Sequence, residues 1–248
     1  MAAIINSRSA ETAESAETTS FANAKPTLLH KISGHVARIN DIVLLSKDDG
    51  IWTASDDRSV RLYLKRDNDQ FWPSIHHFMP VAPTCLFYSE ETYSCSRDKS
   101  VIWHCADTSV KLGAYHCDNS CTALVIDLPF VFIGDHAGNV IVLRMSGNNA
   151  NLVSKLSAHT APISSLSWDR VKEVLYSGCH DNLVIMWDIG GGRGEAYELN
   201  GHTSKVTRLC AAPGAYRLFS ADDLGKLMCW DMKAKRFGGF EGKKLTLN

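Results

Sequence analysis

Apolar residues in this chain fall in short runs broken by polar turns. The clearest example is residues 158–188 (AHTAPISSLSWDRVKEVLYSGCHDNLVIMWD), where three apolar runs are divided by small and charged residues. Short β-prone runs bounded by Gly, Asp, Asn and Lys read as strands joined by tight turns. Residues 39–45, 51–55, 60–64 and 72–78 give four such strands in the first third of the chain. No apolar stripe recurs at 3.6-residue spacing over a helix length, so helices are expected to be nearly absent. Residues 1–26 are mostly Ala, Ser, Thr and Glu, with little to bury. Such a segment cannot offset its ordering entropy and is expected to be a disordered leader. Residues 27–232 form the expected folded domain, and 233–248 the expected flexible tail.

The runs repeat. His35 leads to Tyr63, His159 to Trp187 and His202 to Trp230, each over 28 residues. Two worn copies end at Trp103 and Leu143, so the five end positions are spaced by 40, 40, 44 and 43 residues. That period, with Gly-His starts and Trp-Asp ends, marks the four-stranded blade of a β-propeller, and the chain here resembles the WD-repeat family. The expected fold is all-β, a WD-repeat β-propeller with about five recognisable blades, either a closed small ring or an open, incomplete one. Residues 28–32 precede the first Gly-His, and the last unit lacks an outer strand. They are expected to complete the last blade and close the ring, hiding an open sheet edge.

Composition narrows the function. With 248 residues, 45% apolar content and a formal charge of −1, the chain has a core's worth of apolar residues and no electrostatic pull toward nucleic acid. No apolar run is long enough to span a bilayer, and no secretory apolar core follows the N-terminus, so a cytoplasmic chain with reduced thiols is expected. The eight cysteines form no C-x-x-C pair. His116, Cys117 and Cys121 come nearest to a metal set but lack a second cluster, and they read as buried small hydrophobes.

The resemblance implies a network in each blade. A His before the first strand, a Ser or Thr on the second, an Asp in the turn and a Trp on the third satisfy one another's buried polar groups. The matching sets are His35, Thr53, Asp57 and Tyr63, then His159, Ser177, Asp181 and Trp187. The last unit matches at His202, Ser220 and Trp230, but Leu224 stands where Asp is expected. Either a bulge brings Asp223 in or that set is incomplete. Asp98 lies five rather than six residues before Trp103, and the third unit has no visible set, so blades one and four are expected to be the best tied. A Ser–His–Asp trio also suggests a hydrolase. Yet no G-x-S-x-G elbow is present, and the trio recurs as structural ties do, so no catalytic residue is assigned. The glycine-rich runs 190–194 and 238–244 read as loops, since neither has phosphate-loop spacing.

A more specific likeness lies in residues 64–75 (LKRDNDQFWPSI), 131–139 (VFIGDHAGN) and 183–192 (LVIMWDIGGG), which resemble the WD repeat and FYVE domain-containing proteins. That resemblance implies a protein-binding adaptor of early endosomes. It also implies zinc and phosphoinositide binding, but only through a FYVE module, for which no cysteine pairs are present. A repeat is expected to be missing around Tyr88–Tyr93, and the chain reads as a truncated form. The expected function is a non-catalytic protein–protein scaffold. Its partners are other proteins, without cofactor, nucleic acid, small-molecule substrate or direct membrane contact. A phosphoinositide-linked membrane recruiter is the alternative. Arg38, Asp56, Arg97, His180, Lys205 and Asp223, beside the histidine loops and turn aspartates, are expected to share one partner face.

Overall fold

The computed structural model describes residues 28, 30–45, 49–66, 70–89, 91–96, 98–105, 108, 110–190, 195–212, 216–233 and 244–246. Two units divide the chain, Met1–Ile32 and Ser33–Asn248. All strands belong to the second, and no helix occurs among the described residues. The first sheet holds β1 (Ile39–Leu44), β2 (Gly50–Ser55), β3 (Ser59–Lys65) and β4 (Phe71–Phe78). The second holds β5 (Pro83–Ser89), β6 (Glu91–Ser96), β7 (Ser100–Cys105) and β8 (Lys111–His116). The third holds β9 (Cys121–Asp127), β10 (Phe130–Asp135), β11 (Asn139–Ser146) and β12 (Asn149–Ser157). The fourth runs β13 (Ile163–Asp169), β14 (Val174–Cys179), β15 (Val184–Asp188) and β16 (Glu195–Leu199), to which β20 (Lys244–Thr246) adds. The last has three strands, β17 (Val206–Ala212), β18 (Arg217–Asp222) and β19 (Leu227–Asp231). Every pairing is antiparallel, so each sheet is one meandering blade of a WD-repeat propeller.

The core lies between blades. Trp52 and Leu62 pack with Leu86 and Ile102 across the first joint, and Val101 and Trp103 with Leu124 and Ile133 across the second. Phe132 and Val142 meet Leu175 and Trp187 at the third, and Tyr176 and Met186 meet Leu209 and Leu218 at the fourth. Alternation supplies this arrangement, because each strand offers apolar residues to both neighbours.

A β-bulge opens every innermost strand. The residue it skips is Asn40, Thr84, Thr122, Ser164 or Thr207. A bulge frees one residue from the ladder and re-aims its side chain. Three of these side chains reach the next blade: Asn40 Nδ2 donates to Pro83 O at 2.9 Å, Thr84 Oγ1 to Cys121 O at 2.9 Å and Ser164 Oγ to Val206 O at 2.6 Å.

Three expectations change. Among the described residues the ring does not close: β1, β5, β9, β13 and β17 pack in sequence, and β17 has no comparable packing on β1. Residues 28 and 30–32 form no strand, and β19 stays the edge of a three-stranded sheet. A closing strand gains its burial only where first and last blades meet, and five units leave an arc. Its ends expose apolar side chains, Ile42 and Leu44 at 54% and 63% on one, Leu227 at 69% on the other. Part of the stretch expected as a flexible tail instead forms β20 on the outer edge of β16. Finally, Cys85, opposite Cys95 in the β5–β6 register, is disulfide-bonded rather than a free thiol.

Candidate functional site

Four side chains in the fourth blade form one directed chain of hydrogen bonds. Trp187 Nε1 donates to Ser177 Oγ at 2.8 Å, and Ser177 Oγ lies 2.8 Å from His159 Nε2. His159 Nδ1 lies 3.0 Å from Asp181 Oδ2. An indole N–H only donates and a carboxylate only accepts. With a neutral imidazole between them, the serine hydroxyl donates to Nε2, and Nδ1–H donates to the carboxylate. Burial alone would raise Asp181, but the hydrogen bonds from His159 and the N–H groups of Thr160 and Leu183 bring it down to about 2.

The fifth blade has the same complete set. Trp230 Nε1 donates to Ser220 Oγ at 2.8 Å, Ser220 Oγ lies 2.6 Å from His202 Nε2, and His202 Nδ1 lies 2.9 Å from Asp222 Oδ2. The carboxylate is neither at position 224 nor from Asp223. Asp222, the last residue of β18, supplies it, and its other oxygen accepts the N–H groups of Leu224 and Lys226. The hydrogen bond from His202 holds its carboxyl below the usual range.

Blade one is tied less fully than expected. His35 Nδ1 lies 2.8 Å from Asp57 Oδ2, and Nε2 2.6 Å from Thr53 Oγ1. Burial alone would raise the Asp57 carboxyl, but hydrogen bonds from Ser59, His35 and the N–H groups of Val36 and Ser59 hold it well below its ordinary value. Tyr63 stays outside the set, its buried hydroxyl without a hydrogen-bond partner, filling the space that Gly34 leaves. A phenol reaches farther than an indole N–H and overshoots the threonine. Blades four and five, not one and four, are thus the fully bonded pair. The third blade has no such set, and a different cluster stands in its place: Asp135 Oδ2 accepts Asn119 Nδ2 at 3.1 Å and Asn139 Nδ2 at 2.8 Å.

These sets are closed to chemistry. Ser177 is wholly buried and already holds an indole N–H, so no substrate carbonyl reaches its oxygen. His159, Cys179 and Asp181 also lie close enough together to suggest a metal site. Both imidazole nitrogens are spent on hydrogen bonds, and burial pushes the Cys179 thiol up to about 12, so no ligand lone pair is cheaply free.

Above the sets lies a rim with one backbone plan and different side chains. The N–H of Asp56 donates to Arg38 O, that of His136 to Ser120 O, that of His180 to Pro162 O and that of Asp223 to Lys205 O. Arg38, Asp56, His180, Lys205 and Asp223 therefore occupy equivalent places at one end of their blades, joined by His136. Arg97 lies outside the described residues. Arg38 Nε is 3.3 Å from Asp56 Oδ2, and Ser204 Oγ donates to Asp223 Oδ1.

The family model for the WD domain, G-beta repeat, matches residues 26–63, 150–188 and 194–231. The WD repeat and FYVE domain-containing protein 2 of Caenorhabditis briggsae is 61% identical over 285 aligned residues, spanning 95% of this chain and 67% of that protein. The human protein of that name is 33% identical over 228 residues, spanning 71% of this chain and 57% of its own length. The C. briggsae alignment, 285 positions against a chain of 248 residues, is longer than the chain, so the relative carries internal residues that have no counterpart here. Among solved structures, the WD40 repeats of RRP9 superpose with a TM-score of 0.70 at 18% identity, over 82% of this chain and 63% of that one.

Proposed function

Because the chain belongs to the WD repeat and FYVE domain-containing protein family, we propose that it is a non-catalytic, cytoplasmic interaction scaffold related to endosomal trafficking and signalling adaptors, and that the rim is its partner face. One observation carries the reading. The blade ends share a single backbone hydrogen bond, yet present an Arg–Asp pair, a Ser–His pair, a Pro–His pair and a Lys–Asp pair in turn. A rigid frame with varied side chains at its loops is the arrangement that recognises other proteins. The buried Ser–His–Asp sets below serve as ties that fix those loops.

The test is the double variant Arg38→Glu/Lys205→Glu, expressed as a proximity-labelling fusion beside the parent chain. Both side chains point outward, so the fold is retained. Loss of a defined group of labelled proteins, enriched in early-endosome components, is expected. An unchanged set would contradict the assignment of this face.

A further inference from the structure

Two joints between blades carry a side-chain acceptor at the start of the innermost strand. Asp41 Oδ2 takes the N–H of Leu86 at 2.9 Å, and Ser165 Oγ takes that of Leu209 at 3.1 Å. Both residues sit one place past the bulge, where the side chain faces the following blade. In the fifth blade that place holds Arg208. A guanidinium has five donors and no acceptor, so Arg208 is unable to accept an N–H as Asp41 and Ser165 do. Among the described residues no carboxylate pairs with it, whereas Arg38 on the first blade is held by Asp56. Arg208 has donors and no acceptor to receive them.

It lines an open cavity of about 510 Å³ at the innermost ends of blades three, four and five. His136 and His180, both exposed, line it, and half-buried Pro162 contributes apolar surface. Thr122, Ser164 and Thr207 also line it, but their hydroxyls donate to Gly134 O, Val206 O and Ala221 O. The side-chain donors left to the cavity are one guanidinium and two imidazole rings, and no acidic residue lines it among the described residues.

We propose that this cavity receives a carboxylate side chain from an acidic peptide segment of a partner protein, with Arg208 as the anchoring donor and His136 and His180 as flanking donors. The inference rests on the reading of the rim as the partner face and names the chemistry that face selects. A planar guanidinium binds a carboxylate through two parallel hydrogen bonds, which supplies orientation as well as attraction. The cavity is of the size that takes one or two side chains of a longer segment, and half-buried Pro162 offers apolar surface to the aliphatic stem of a glutamate.

The experiment is a fluorescence-anisotropy titration of the full chain with three labelled peptide pools of equal length: Glu/Asp-rich, uncharged Ser/Gly/Asn and Lys-rich. The acidic pool should bind. Arg208→Gln should weaken it by about tenfold or more, Arg208→Lys should weaken it less, and rising salt should weaken it progressively. Arg208 is exposed, and circular dichroism of both variants confirms folding. Acidic binding that ignores Arg208, preference for either other pool, or no binding by any pool would each overturn the assignment. The two readings fail separately. If Arg38→Glu/Lys205→Glu loses labelled partners while acidic peptides bind independently of Arg208, the rim stands and the carboxylate pocket falls.

Discussion

Asp222 Oδ2 lies 2.9 Å from His202 Nδ1, reaching it from the end of β18, whereas Asp181 reaches His159 from inside the turn after β14. The two blades solve one polar problem with carboxylates at different chain positions. Asp222→Ala should therefore lower the melting temperature by several degrees. Leu224→Asp, which restores the repeat's spacing, should not raise it, because His202 already has its acceptor. Differential scanning fluorimetry of both variants checks the pair.

The miss at Asp222 shows what spacing alone carries. Counting back six residues from the tryptophan assumes that every blade places its carboxylate alike. The left-handed turn residues Arg58, Asn182, Gly138 and Gly225 do occupy equivalent places. Where glycine takes that place, the aspartate stands three residues before it, at 135 and 222. The pattern Asp-x-x-Gly was present in the sequence and went unread. The five units, their strands and the histidines were legible because apolar alternation and a fixed interval are local signals. The bulge residues Asn40, Thr84, Thr122, Ser164 and Thr207 were not, since a polar residue near a strand start looks ordinary until register shows it skipped. Closure was misread because it depends on how many blades meet, which no single blade encodes.

The bulge donors make a direct prediction. Ser164 Oγ contacts both Gly178 O at 3.0 Å and Val206 O at 2.6 Å, joining blade four to blade five. Ser164→Ala should cost about 1–2 kcal/mol. Hydrogen exchange should quicken in β13 and β17 before it does in β9.

Acid should loosen the first joint before it touches the aspartate ties. The His77 and His104 rings lie 4.9 Å apart between centroids. Burial first, then the neighbouring His77 and Lys111, lowers His104 from 6.5 to about 4, and burial and His76 lower His77 as well. The folded chain keeps these rings neutral where the unfolded chain would protonate them. Stability should thus fall as pH drops from about 6.5 to 4. His104→Phe should flatten that slope in urea titrations at stepped pH. The Asp181 contribution, present above 3.8, is lost only as pH falls toward about 2.

The open end should promote self-association. Leu227 is 69% exposed on β19, an edge strand without an outer neighbour among the described residues. Such edges template further pairing, and a charge suppresses it. Leu227→Lys should shift sedimentation toward monomer at concentrations where the parent chain forms larger species, with the melting temperature little changed.

Ser177 decides whether the Ser–His–Asp sets are ties or reactive centres. Its oxygen accepts the Trp187 indole N–H and its hydroxyl serves His159, both at 2.8 Å and fully buried. Removing it leaves two buried groups unpaired, each costing about 1–3 kcal/mol. Urea unfolding of Ser177→Ala should therefore show a loss of about 2–6 kcal/mol. A variant as stable as the parent chain, or more stable, as when a strained nucleophile is removed, would contradict the account.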